Sequence, residues 1–225
     1  MSQTIENIAL AALSSVETCR STYAIARQSL EEGIPGDMVE CGVYAGSQAA
    51  AMALAIYEEG HAVGDGQHSI DLLRPYSRRV HLFDSFEGIP EPGERDIEYR
   101  TSGLKKGAAS CTLEGVKANM AQWGIPEELL MYYKGWFSET VPFHAGIMVG
   151  HALQQKRDPK ALIAVLRLDA DLYESTMTCL EHLYPLLSPG GFLIVDDYAL
   201  SGARQAVEDY FDRVGGRGVM TMRKP

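Results

Sequence analysis

Apolar residues recur at helical spacing over residues 5–32, where Ile5, Ile8, Ala9 and Ala12 are followed by Tyr23, Ala24, Ala26 and Leu30. Gly33 and Pro35 stop the pattern, so the N-terminal segment reads as helical. The period then changes. DMVECGVY (37–44) is a short apolar run suited to a buried strand, and SQAAAMALAIYEE (47–59) is an alanine-rich helix opened by Ser47. Further strands are expected at VHLFD (80–84), LLMYYKG (129–135), LIAVLRLD (162–169) and FLIVDD (192–197). Helices at 112–122, 174–187 and 202–213 fall between or after them. Strands separated by helices predict βαβ crossovers, hence an α/β fold whose mainly parallel central sheet carries helices on both faces.

Two long polar connections interrupt the alternation, at 60–79 and 85–110. Connections of that length in a compact domain serve as lids or binding segments. No repeat, low-complexity tract or linker divides the chain.

Composition narrows the partners. The 225 residues carry a formal charge of −10, which argues against a polyphosphate surface, so no nucleic-acid partner is expected. Cys19, Cys41, Cys111 and Cys179 are scattered, with neither a C-x-x-C pair nor zinc spacing, as suits reduced thiols in a cytoplasmic protein. No apolar run approaches the roughly 20 residues of a bilayer span, and MSQTIENIALAALSS lacks a basic leader, so no membrane partner is expected.

Ligands of open α/β sheets bind outside the carboxyl ends of the strands. At the first such end, Glu40, Gly42 and Gly46 form an E-x-G-x-x-x-G turn, and the following helix offers free backbone N–H groups at Ser47. The same pattern also suits a plain strand-to-helix turn. At the second, Asp84 is placed to accept hydrogen bonds from ribose hydroxyls, or to serve as a cap or turn residue. The glycine spacing is not the G-x-G-x-x-G of a dinucleotide site. At the later ends stand Asp169 and Asp171, then Asp196 and Asp197. One acid of each pair could cap the next helix, but capping does not require four. Carboxylates converging at neighbouring strand ends repel unless a cation lies between them, and all-oxygen donors select a hard ion such as Mg²⁺.

VECGVYAGS, HLFDSFEGIPEP, KGWFSETVP, LRLDADLYEST and LSPGGFLIVDDYALSGARQAVEDYF together resemble the macrocin O-methyltransferase (TylF-type) family. The resemblance runs from about residue 36 to 211 in the family's order. It implies the class I, Rossmann-like fold of S-adenosylmethionine-dependent methyltransferases and Mg²⁺-dependent methylation of a hydroxyl on a sugar or related natural product, as in antibiotic biosynthesis. It further implies a division into an N-terminal helical lid or oligomerisation segment (1–35) and a methyltransferase domain (36–225), and a homo-oligomer. By the same resemblance Asp169, Asp196 and Asp197 are metal ligands and Asp171 is the general base. Glu40, Gly42, Tyr44, Gly46, Ser47, Asp84, Ser85 and Asp169 belong to the cofactor shell, and Gly135, Trp136 and Phe137 to the adenine pocket. Trp136 could equally be a core aromatic. His144 and His151 are further candidates for the base. The chain departs from the family at GRGVMTMRKP (216–225), where an edge strand is short or missing.

The chemistry is consistent with these roles, because an alcohol must be polarised, partly deprotonated and aligned with the sulfonium methyl. Alternatives are a catechol-type O-methyltransferase acting on an aromatic diol, and a cofactor-binding protein without catalysis. A dehydrogenase fits less well.

Overall fold

The computed structural model describes residues 2–10, 14–62, 78–103 and 105–215. Its strands are β1 (Asp37–Cys41), β2 (Val80–Asp84), β3 (Leu130–Lys134), β4 (Ile163–Leu168) and β5 (Leu187–Val195). Its helices are α1 (Ser2–Leu10), α2 (Val16–Glu31), α3 (Ser47–Ala62), α4 (Ile97–Ser102), α5 (Leu113–Gln122), α6 (Phe137–Gln154), α7 (Tyr173–Leu183) and α8 (Ser201–Val214). The strands form one sheet in the order β3-β2-β1-β4-β5, and each neighbouring pair is parallel.

Strand parity explains the layers. Met38, Val80, Leu82 and Val165 enter a core shared with α1, α2, α3 and α5. Their neighbours Val39, Cys41, Phe83, Leu166 and Leu168 enter a second core under α6, α7 and α8. Residues two apart on a strand share a face, so a sheet covered on both sides needs apolar side chains at both parities. That requirement produces unbroken runs such as LIAVL. Ala49 through Ile56 are buried all round because α2 packs along the outer side of α3. The 1–35 stretch contributes Ile5, Ile8, Cys19 and Ala26 to this same core.

The expected strands are all present, with shifted ends. β1 stops at Cys41 because Gly42 turns at φ 90°. β5 starts at Leu187, earlier than expected: Ser188 to Gly191 look like a turn, yet they carry the strand through an irregularity in its register with β4. The principal difference is α6, which fills the stretch between the strands expected at 129–135 and 162–169, where no helix is expected. Pro142, Gly146 and Gly150 read as breakers, and apolar residues on every side of the helix leave no stripe to detect. The short helix α4 likewise lies inside the second long connection. The expectation for 216–225, and most of the first long connection (63–77), lie outside the described residues. Among the described residues no helix is long and apolar enough to cross a membrane.

β1 is central: the chain steps outward through β2 to β3, then returns to place β4 on the other flank of β1. The reversal lies between β1 and β4, so their carboxyl ends frame the crevice where ligands of such sheets bind.

Candidate active site

The loops leaving β1 and β4 meet in close contact. Asp169 N–H donates to Cys41 O at 2.8 Å, and a Cβ added to Gly42 would lie 1.7 Å from the Asp169 carbonyl oxygen. Only glycine fits there. Asp84, at the end of β2, fastens the turn from the other side: its Oδ2 accepts from Val43 N–H (2.6 Å) and Tyr44 N–H (3.2 Å), and its Oδ1 from Phe86 N–H (2.6 Å). The carboxylate thus organises the glycine turn as well as facing the crevice.

A cavity of about 670 Å³ opens at this point. Of the expected cofactor residues, Gly42, Tyr44, Asp84, Ser85, Trp136 and Phe137 line it, with Asp169, Asp171 and Asp196 alongside. Trp136 therefore faces the cavity, and the Lys106 ammonium lies 5.6 Å from its ring centroid. The other expected residues stand behind the wall. Glu40 is buried beside Arg167, Gly46 faces Met120 and Val116, and Ser47 lies 3.4 Å from Ser14, hydroxyl to hydroxyl. Gly135, at φ 146°, donates its N–H to Asp84 O at the end of β3. Neither His144 nor His151 lines the cavity. His144 packs on Tyr133, ring centroids 4.1 Å apart, and burial lowers its pKa.

Register places the charged groups. Arg167 on β4 is paired with Glu40 on β1 and with Ile194 on β5, so Glu40, Asp169 and Asp196 all fall on its side of the sheet by the two-residue period. The guanidinium is fully buried. Nη1 lies 3.1 Å from Glu40 Oε1 and 2.7 Å from Asp169 Oδ2, and Nη2 lies 3.0 Å from Asp196 Oδ1. Burial pushes the Glu40 carboxyl up and Arg167 opposes it.

In front of Arg167, Asp169, Asp171 and Asp197 each place one carboxylate oxygen within 4.8 Å of the others. Asp171 sits in the left-handed region at φ 60°, its N–H donates to Asp197 Oδ2 at 3.0 Å, and its Oδ1 accepts from the Tyr99 hydroxyl. Burial, then the neighbouring acids Asp169 and Asp196, raise Asp171 to about 6 although Tyr99 pulls the other way. Burial and the same crowding raise Asp197, and burial raises Asp196 against the pull of Arg167. An all-oxygen cluster of crowded carboxylates fits a hard divalent cation.

Several site residues left little trace in the sequence. Asp96 is 2% exposed; its Oδ2 accepts from Gly93 N–H and its Oδ1 from Tyr173 N–H, both at 2.8 Å. It therefore caps α7 from the second long connection, while Leu172 at the N-cap offers no side-chain bond. A Cβ on Gly202 would lie 1.9 Å from Asp96 Oδ1, so α8 too is fitted to this carboxylate. Tyr99 follows on α4 and lines the cavity, as do Ser14 and Thr18 from the N-terminal segment and Glu174, Ser175 and Thr178 from α7. Only Arg167 had a readable signal: a charge inside an apolar strand must find partners.

The macrocin-O-methyltransferase (TylF) family profile matches residues 16–217. The 8-demethyl-8-(2,3-dimethoxy-alpha-L-rhamnosyl)-tetracenomycin-C 4'-O-methyltransferase of Streptomyces olivaceus is 38% identical over 190 residues, 83% of this chain and 62% of that protein. Mycinamicin III 3''-O-methyltransferase of Micromonospora griseorubida is 32% identical over 195 residues, 83% of this chain and 65% of that protein. Demethyldecarbamoylnovobiocin O-methyltransferase of Streptomyces niveus is 33% identical over 192 residues, 82% and 63%. The chain thus spans less than two thirds of the length of these relatives. The solved O-methyltransferase NovP aligns with a TM-score of 0.70 at 28% identity, covering 92% of this chain and 76% of that one. Calicheamicin methyltransferase CalS11 shares the fold, with a TM-score of 0.62 at 23% identity over 87% of this chain and 72% of that one. The family match along most of the chain accords with the glycine turn and the acid cluster at one crevice, and the chain belongs to the macrocin-O-methyltransferase (TylF) family.

Proposed function

We propose that the protein is an S-adenosylmethionine-dependent O-methyltransferase that methylates a hydroxyl of a sugar moiety or related natural product with the help of Mg²⁺. The observation that carries this reading is that one cavity brings the turn of Gly42 and Tyr44, with Asp84 and Trp136, together with Asp169, Asp171 and Asp196. The first group would hold the cofactor, and the second would receive the acceptor hydroxyl. The named activities of the relatives on rhamnosyl-tetracenomycin, mycinamicin and novobiocin precursors support the acceptor class.

Asp171 faces the cavity and is the residue that takes the acceptor's proton. Tyr99 and the Asp197 carboxylate fix it at side chain and backbone. Asp169 and Asp197 would hold the cation, with Asp196, which lies outside the close cluster and pairs its Oδ1 with Arg167, as the third ligand; Asp171, the remaining acid of that cluster, is assigned to the proton. When bound, the ion would polarise the acceptor oxygens and lower their pKa. Trp136 and Phe137 wall off water on the cofactor side. The charge of the wall also selects the acceptor. Asp84, Glu91, Asp96, Asp169, Asp171, Glu174 and Asp196 line the cavity, and among the described lining residues there is no lysine, arginine or histidine. A neutral glycoside suits such a wall better than an anionic one.

The reading is tested by incubating the protein with methyl-labelled S-adenosylmethionine and neutral glycosides, with and without EDTA. Label transfer that stops on chelation is expected; transfer undiminished by excess EDTA removes the metal from the reading, and no transfer to any glycoside removes the acceptor class.

Metal binding should also show in stability. The folded-state pKa values of Asp171, Asp196 and Asp197 are raised, so each binds its proton more tightly in the native state. That contribution is complete below the ordinary carboxylate range and is lost as pH rises through the raised values, about 6 for Asp171. A cation replaces the lost protons, so Mg²⁺ is expected to raise Tm more at about pH 7.5 than at about pH 5. Equal shifts in thermal melts at both pH values would contradict the assignment.

A further inference from the structure

Most acids of the cavity wall are already engaged by the fold. Asp84 accepts from the glycine turn, Asp96 uses both oxygens on Gly93 N–H and Tyr173 N–H, Asp169 and Asp196 pair with Arg167, and Asp171 accepts from Tyr99. Among the described residues lining the cavity, Glu91 and Glu174 are the acids whose carboxylates have neither a hydrogen bond nor an ion pair. Glu91 stands on the connection before α4. Glu174 stands in the first turn of α7, three positions beyond Asp171.

The helix divides its residues between two environments. Glu174, Ser175 and Thr178 share a face of α7 and line the cavity, while Cys179, Leu180 and Leu183 enter the core. An acid in the first turn also suits the helix dipole, which accounts for a carboxylate here but not for the hydroxyls beside it. Hydrogen-bonding capacity defines what this face can hold. A carboxylate only accepts. The Thr178 hydroxyl donates its proton to Glu174 O at 2.8 Å, so toward the cavity it too accepts. The Ser175 hydroxyl has no partner among the described residues and can do either. Such a face calls for donors, and a free sugar hydroxyl is one where a deoxy or methoxy position is not.

We propose that Glu174, with Ser175 and Thr178 beside it, determines acceptor specificity by receiving a free hydroxyl of the sugar adjacent to the one that Asp171 deprotonates. The inference rests on the functional reading above and deepens it, because it restricts the acceptor to a diol whose neighbouring oxygen still carries its proton. Methylation here then precedes any methylation of that neighbour.

The probes are nitrophenyl glycosides of neutral sugars, with the analogues that lack one hydroxyl or carry it as a methyl ether, and the readout is label transfer from S-adenosylmethionine. With the unaltered protein, loss of the hydroxyl adjacent to the methylated one is expected to lower kcat/KM by about 10–100-fold, mainly through KM, as for a hydrogen bond to a charged group. Glu174→Ala should lower kcat/KM for the intact glycoside by a similar factor and turn over the intact and deoxy compounds alike, as a cycle across a direct contact requires. Glu174→Gln, which keeps an acceptor oxygen, should retain part of the preference. An acid that serves only the helix would lower Tm in Glu174→Ala and leave the preference intact, and that result would overturn the inference alone. An unaltered protein indifferent to every deoxy and methyl-ether analogue would do the same. No label transfer to any glycoside would overturn the functional reading and this inference with it.

Discussion

Asp171→Asn is expected to lower kcat by about 10²–10⁴-fold while leaving the affinity for S-adenosylmethionine nearly unchanged, since a general base contributes on that scale. The substitution keeps the size of the side chain and its ability to accept from Tyr99. What it removes is the capacity to take a proton, which on the proposed reading comes from the acceptor hydroxyl. A fall in kcat with an unaltered cofactor Kd, from single-turnover kinetics and equilibrium titration, would identify a group that acts in the chemical step. Turnover at the level of the parent protein would instead transfer the role to another residue. The histidines of α6 are poor substitutes, because neither lines the cavity.

The second large effect falls on stability. Arg167→Met is expected to cost about 3–5 kcal/mol, because it removes the guanidinium buried among Glu40, Asp169 and Asp196 and leaves carboxylates without that partner. Lysine is no remedy: a single ammonium cannot span three acids as a planar guanidinium does. Adding Glu40→Gln to Arg167→Met should recover part of the loss, since the acid stranded in the interior is then neutral. Denaturant unfolding of the single and double variants checks the prediction, and an Arg167→Met protein as stable as the parent would contradict it. The loss should be accompanied by weaker Mg²⁺ binding, because Asp169 and Asp196 are aimed by the same guanidinium.

These two residues also show what the sequence makes legible. The strands could be read because a sheet covered on both faces demands apolar side chains at every position. The acids could be read because they stand where those runs end. Asp171 is visible on this basis. Arg167 is visible only as an oddity inside LIAVLRL, since its partners come from β1 and from the end of β5, which no local pattern links to it. Tyr99 and Asp96 lie in a segment without periodicity, and their roles arise from tertiary contacts with α7, α8 and Asp171. Ser14 and Thr18 reach the cavity from the start of α2, a helix that packs along α3. The helix α6 escaped detection for a different reason: a helix that is apolar on all sides and contains proline and glycine offers neither an amphipathic stripe nor clean boundaries.

The carboxylate that completes the first turn of α7 is supplied from 77 positions earlier in the chain, by a segment that lines the cavity. Displacing the segment would leave the Tyr173 N–H without this partner, at the start of the helix that presents Glu174, Ser175 and Thr178 to the cavity. Any ligand that enters by displacing this segment would therefore have to loosen the first turn of α7, and one aspartate's hold on one amide would resist it.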